Sequence, residues 1–110
     1  MKLPNAKLAV VEPEKIRAYC LNPSHPRGKH KARVFKRSLG LTKTDTTMLI
    51  DQIKEKILLN NCKKGEGDMY GQRYLVDILI KKNNKNAIVR TCWIIKKNET
   101  IPRLTSCNDK

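Results

Sequence analysis

A chain of 110 residues holds one domain with a modest core and is too short for two ordinary ones, so the reading is a single domain over residues 1–110. Its 24 Lys and Arg against 10 Asp and Glu leave a formal charge of +14, well past the few units that solubility asks of a small domain. That surplus points to a polyanionic partner, RNA or DNA ahead of an acidic protein, and no apolar run approaches the length of a membrane-spanning helix.

In chain order, the amino terminus "MKLPNAKLAVVEPEK" is broken by Pro4 and Glu12 and does not read as a secretory signal, and "KLAVV" is at most a weakly signalled strand. Pro13 suits a first helical turn, and Ile16, Tyr19 and Cys20 recur at three-and-four spacing, which predicts a short helix over residues 13–21 ending at Asn22-Pro23. "HPRGKHKARVFKR" follows, with six Lys or Arg, two His and no carboxylate. Its Ala32, Phe35 and Leu39 make one helical stripe, and Gly40 suits a left-handed cap, which predicts a second helix from Gly28 to Ser38. "TDTTMLIDQIKEKILLNN" predicts a third, capped by Thr44 or Asp45, with Leu49, Ile53 and Ile57 on its apolar face and its end near Asn60 or Asn61.

Beyond the loop "KKGEGD" the period becomes extended. Tyr74, Val76, Ile78 and Ile80 alternate with Arg73, Leu75, Asp77 and Leu79, "KKNNKN" reads as a hairpin loop, and "AIVRTCWIIKK" is apolar on both faces, as a central strand is. "RLTSC" makes a short last strand, with Pro102 at its beginning. The expected class is α+β: about three N-terminal helices over residues 12–61, then an antiparallel sheet of three to four strands over 70–107, with the helices packed on one face.

Four cysteines without C-x-x-C spacing, and two histidines close together, assemble no four-ligand zinc site; neither metal nor cofactor is expected. The thiols read as reduced packing groups of a cytoplasmic protein, with Cys92 and Cys107 the pair placed to face each other across neighbouring strands. Paired carboxylates, a Gly-rich phosphate loop and a nucleophile elbow are all absent, which disfavours two-metal, nucleotide-hydrolysing and acyl-transfer chemistry.

What remains is cationic. Arg27, Lys29, Arg33, Lys36 and Arg37 around the second helix, with Arg90 and Tyr74 from the strands, suit a nucleic-acid surface. Arg73, Arg90 and Arg103 in apolar strands need an anion or a carboxylate, and Asp77 is the obvious internal partner for one of them. A metal-free ribonuclease needs a base for the ribose 2′-OH, cations for the phosphorane oxygens and an acid for the leaving oxygen. His30 has the right intrinsic chemistry, while the helical projection lets Lys31, flanking the apolar stripe, reach the sheet edge more directly.

The segments "KLPNA", "EKIRAYCLN", "GKHKARVF", "YGQRYLVD", "VRTCWII" and "PRLTS" resemble an uncharacterised bacterial domain family of about this length, with members similar to domains found beside small partner genes or at the ends of polymorphic-toxin and phage-head proteins. Leading helices before an antiparallel sheet also resemble the barnase, EndoU, colicin and RelE superfamily of ribonucleases. The resemblance implies that Lys31 and His30, with Arg73, Thr91, Arg103 and Thr105, line one catalytic site, although a barnase-like glutamate base is missing. The expectation is then a toxin-type endoribonuclease working without metal through a 2′,3′-cyclic phosphate, with an acidic antitoxin or immunity protein as partner. A noncatalytic RNA-binding module is the alternative, and the antitoxin role itself is a third that +14 disfavours. The discriminating observation is whether Lys31, Arg73 and Arg103 share a cleft.

Overall fold

In a computed structural model describing residues 1–110, four strands form one antiparallel sheet in sequential order: β1 Lys63–Asp68, β2 Gly71–Lys82, β3 Lys85–Lys96 and β4 Arg103–Asp109. A two-residue turn with Asn83 in the left-handed region (φ 55°) sets the β2–β3 register, pairing Tyr74 with Trp93, Val76 with Thr91 and Asp77 with Arg90. Period-two alternation then sorts the side chains. Tyr74, Val76, Ile78 and Ile80 are buried with Val89, Thr91 and Trp93, while Arg73, Asp77, Arg90 and Arg103 stand on the opposite face, which is open. Between Cys92 and Trp93 the β3–β4 register slips, so Thr105 is an extra residue in β4, exposed at the sheet edge.

Two α-helices cover the inner face, α1 Lys29–Leu39 over β3 and β4 and α2 Thr46–Lys56 over β2. The stripe Ala32, Phe35, Leu39 of α1 is buried. Gly40, at φ +67°, ends the helix by donating its N–H to Lys36, with the Leu41 N–H returning to Phe35. The capping oxygens of the next segment belong to Thr42 and Asp45, which bond reciprocally around a 3₁₀ turn, Lys43–Asp45, leading into α2. Leu49, Ile50, Ile53 and Ile57 enter one core cluster that runs from Leu3 to Cys107.

The expected architecture is corrected on two points. About three helices were expected, and two are substantial. Residues Lys15–Cys20 form a single π-helical turn, closed by a Leu21 N–H bond to the Ile16 carbonyl five residues back. Secondly, "KKGEGD" is not a loop: exposed along its whole length, it pairs with β2 as an edge strand through backbone bonds that need no apolar alternation. The "KLAVV" segment contributes one parallel bridge, Val10 to Arg103. None of the helices is long and apolar enough to cross a membrane.

Candidate functional site

The π-helical turn, the start of α1 and the bulged edge of β4 enclose a cleft of about 450 Å³ lined by Glu14, Lys15, Tyr19, Lys31, Thr105 and Ser106. Gly28 makes the closure possible, because a Cβ there would stand 2.1 Å from the Tyr19 carbonyl oxygen. His25 holds the approach. Its Nδ1 accepts the N–H groups of Arg27 (3.0 Å) and Gly28 (2.9 Å), and its ring meets Tyr19 edge-on at 4.7 Å between centroids. Lys31 then places its ammonium 5.4 Å from the centroid of the Tyr19 ring, a cation–π arrangement.

Of the six residues expected to form a catalytic set, Lys31 and Thr105 come together here and four do not. His30 is exposed, and its place on α1, about 100° of helical rotation from Lys31, turns it away from the cleft. Thr91 is wholly buried. Its Oγ1 donates to the Val76 carbonyl (2.7 Å) and accepts the indole N–H of Trp93 (2.8 Å), so it is the internal partner of a core tryptophan. Arg73 and Arg103 occupy one row on the outer face, either side of Ile94 and about 10 Å apart across two strand spacings. They lie on the far side of the sheet from α1. Tyr74, expected to meet bases, is 7% exposed and packs in the core.

The outer-face arginines are all neutralised. Arg73 bonds Asp68 across the β1–β2 hairpin, and Arg103 holds Glu99 at 3.1 Å. Arg90 grips Asp77 through two bonds, 2.9 and 3.1 Å, and Lys110 adds a third at 3.0 Å. The Arg90 guanidinium, and then Lys110, bring the Asp77 carboxyl down to about 2 against the opposing pull of burial. Asp68 is lowered first by the Tyr70 N–H and then by Arg73, and Glu99 by Arg103.

Around α1 the balance is different. Arg27, Lys29, Lys31, Arg33, Lys36 and Arg37 take no part in any of the six ion pairs of the molecule. The first turn of α1 has no acidic residue and Gly28 provides no side-chain cap, so cations crowd the positive end of the helix dipole. Beside this side of α1 is a second depression of about 450 Å³, floored by Leu21, Ala32 and Leu41 and rimmed by Arg33, Lys36 and Lys43.

Cys92 and Cys107 do not face each other as expected, because Cys92 is on the outer face and Cys107 on the inner. The buried neighbour of Cys107 is Cys20, with the two Sγ atoms 3.7 Å apart. The hydrogen bond from Cys107, helped by the charges of Lys31 and Lys15, lowers Cys20 to about 7, while Cys20 and burial push Cys107 up. No three His, Cys, Asp or Glu side chains gather as metal ligands.

Glu14, Lys15, Tyr19 and Ser106 were not among the expected site residues. Tyr19 shares the stripe of Ile16 and Cys20 and reads as core, and the bulge that exposes Thr105 beside Ser106 has no signature in "RLTSC". The model of a family described as a domain of unknown function, DUF6883, matches residues 2–109, and the chain belongs to that family. No curated protein matches the chain.

Proposed function

We propose that this DUF6883 domain is an RNA-binding module that grips phosphates with the cation-rich side of α1. The observation carrying this reading is the set of six Lys and Arg around α1 with no carboxylate partner, in a molecule whose strand arginines all have one. Lys29 and Lys31 stand at the positive end of the helix dipole, Lys36 and Arg37 in its last turn; left without carboxylates, these cations repel one another until an anion arrives, and RNA supplies anions at the needed density. The test is a titration of single-stranded RNA over a range of salt. Binding should weaken steeply, the logarithm of affinity falling by about 0.7 per phosphate contact for each unit of log salt. Salt-independent binding, or none, rejects the reading.

A second reading keeps the toxin-type endoribonuclease, and one observation favours it: Lys31 and Thr105 share their cleft with Glu14, the kind of carboxylate base that the sequence-level constellation lacked. In that reading Glu14 takes the proton of the attacking 2′-OH, Lys31 and Lys15 stabilise the phosphorane oxygens, the P–O5′ bond breaks with the departing 5′ oxygen protonated by water, and the similarity to barnase-like and colicin-like ribonucleases is one of mechanism. Against it stand the pairing of Glu14 with Arg17 and the position of Arg73 and Arg103 on the other face. RNA incubated with the protein and a chelator should yield 2′,3′-cyclic phosphate ends, and Lys31→Ala should abolish the cleavage while binding is kept. Intact RNA leaves binding alone as the function. The same unpaired cations would dock an acidic antitoxin or immunity protein in competition with RNA.

A further inference from the structure

We propose that the depression beside α1 receives one unpaired nucleobase of the bound RNA, so that the domain selects single-stranded or looped RNA over duplex. This rests on the RNA-binding reading and adds to it the form of the substrate.

Position is the first argument. At about 100° per residue from Ala32, the residues Lys36, Lys29, Arg33 and Arg37 fill one continuous arc of α1, and Lys31 is about 100° away on the other side of the apolar stripe. The depression borders the cationic arc, since Ala32, Arg33 and Lys36 all line it, whereas the Lys31 cleft is across the stripe. A strand whose phosphates follow Lys29, Arg33 and Arg37 therefore passes the mouth of the depression.

Chemistry is the second. The floor is aliphatic, made by Leu21, Ala32 and Leu41, and suits the face of a base. The rim carries three cations, Arg33, Lys36 and Lys43, and no carboxylate. The nearest acid in sequence is Asp45, whose carboxyl burial would raise; the Thr42 N–H at 2.8 Å and then Lys82 at 2.9 Å outweigh that and hold it below the usual range. The hydroxyl of Ser24 is at the edge, free to bond a base. The volume of about 450 Å³ falls in the range of small-ligand pockets, ~300–1,000 Å³. In A-form duplex the bases are stacked and the major groove is too deep and narrow to offer one to such a pocket, which a looped or single strand does without unpairing.

Fluorescence anisotropy on the full chain tests this, with a short labelled single-stranded oligoribonucleotide and a blunt duplex of equal length as probes. Ser24→Trp fills the depression from an exposed position and leaves every cation in place; Thr44→Trp does the same from the opposite rim. The single strand should bind roughly tenfold tighter than the duplex. Either tryptophan should remove that difference by weakening the single strand alone, with the far-UV spectrum and melting temperature of the parent retained. Equal binding of both RNAs by the parent, or a tryptophan variant that keeps the preference, overturns the nucleobase pocket while leaving RNA binding intact. Failure to bind either RNA overturns the RNA reading and the pocket with it.

Discussion

The outer face of the sheet and the exposed side of α1 are both rich in arginine, and they dispose of that charge in opposite ways. On the sheet, Arg73, Arg90 and Arg103 each meet a carboxylate supplied by their own hairpin or turn. On α1, Arg33, Lys36 and Arg37 meet none: the chain has no acidic residue between Glu14 and Asp45, and the carboxylate that does reach the helix, Asp109, accepts the hydroxyl of Ser38. A guanidinium already bonded to a carboxylate has little to offer a phosphate, since the newcomer must displace an equivalent anion. An unpaired one gains the full counterion-release benefit. Excess charge therefore locates an anion site only after internal partners have been subtracted.

The comparison is broken most directly by removing each set. Replacing Arg33, Lys36 and Arg37 together by alanine should weaken RNA binding by about 100-fold and reduce the salt slope by about 2 units. Replacing Arg73, Arg90 and Arg103 together should change RNA affinity by no more than about threefold, with the slope preserved. Equal losses from the two triples would mean that the carboxylates of the sheet are displaced by RNA, and the distinction between the regions would fall.

The fate of the strand arginines was partly legible. Glu99 and Arg103 are four residues apart across a tight turn, and Asp68 and Arg73 flank the "MYGQ" turn. For Arg90 the key was the hairpin loop. Taken as a six-residue loop, "KKNNKN" fixes no register; taken as a two-residue turn at Asn83-Asn84, it pairs Lys82 with Lys85 and carries Asp77 opposite Arg90. The apolar stripes of α1 and α2 and the alternation in β2 were visible because burial imposes their period. The π-helical turn was not, since a three-and-four spacing over so few residues does not distinguish five-residue from four-residue bonding. Nor was β1, whose exposed residues carry no pattern. The cleft depends on both hidden features of the edge, the turn that presents Tyr19 and the bulge that presents Thr105.

Thr91 sharpens the comparison from inside. A threonine in a basic, strand-borne motif looks like a phosphate ligand, yet its hydroxyl is occupied by Trp93 and Val76. Thr91→Val keeps the shape and strands the indole N–H in the core, which should cost about 1–3 kcal/mol in urea unfolding. The folded variant should bind RNA as the parent does. Lost binding at unchanged stability would return Thr91 to a site.

Asp77→Asn tests whether pairing is what silences the outer face. The carboxyl is held at about 2 in the folded chain against an ordinary 3.8, so its stabilising contribution is present above the ordinary value and disappears as the pH falls through about 2. The variant should be less stable at neutral pH, and its stability should fall less steeply than that of the parent between about pH 5 and pH 2. It also frees two cations, Arg90 and Lys110, that share this one carboxylate in the parent. If pairing alone separates the two regions, RNA affinity should rise by up to about threefold at low salt and the salt slope should steepen by no more than about one unit. The gain should vanish when Arg90→Ala is added. Unchanged affinity at low salt would show that geometry, and not neutralisation, keeps RNA on the α1 side.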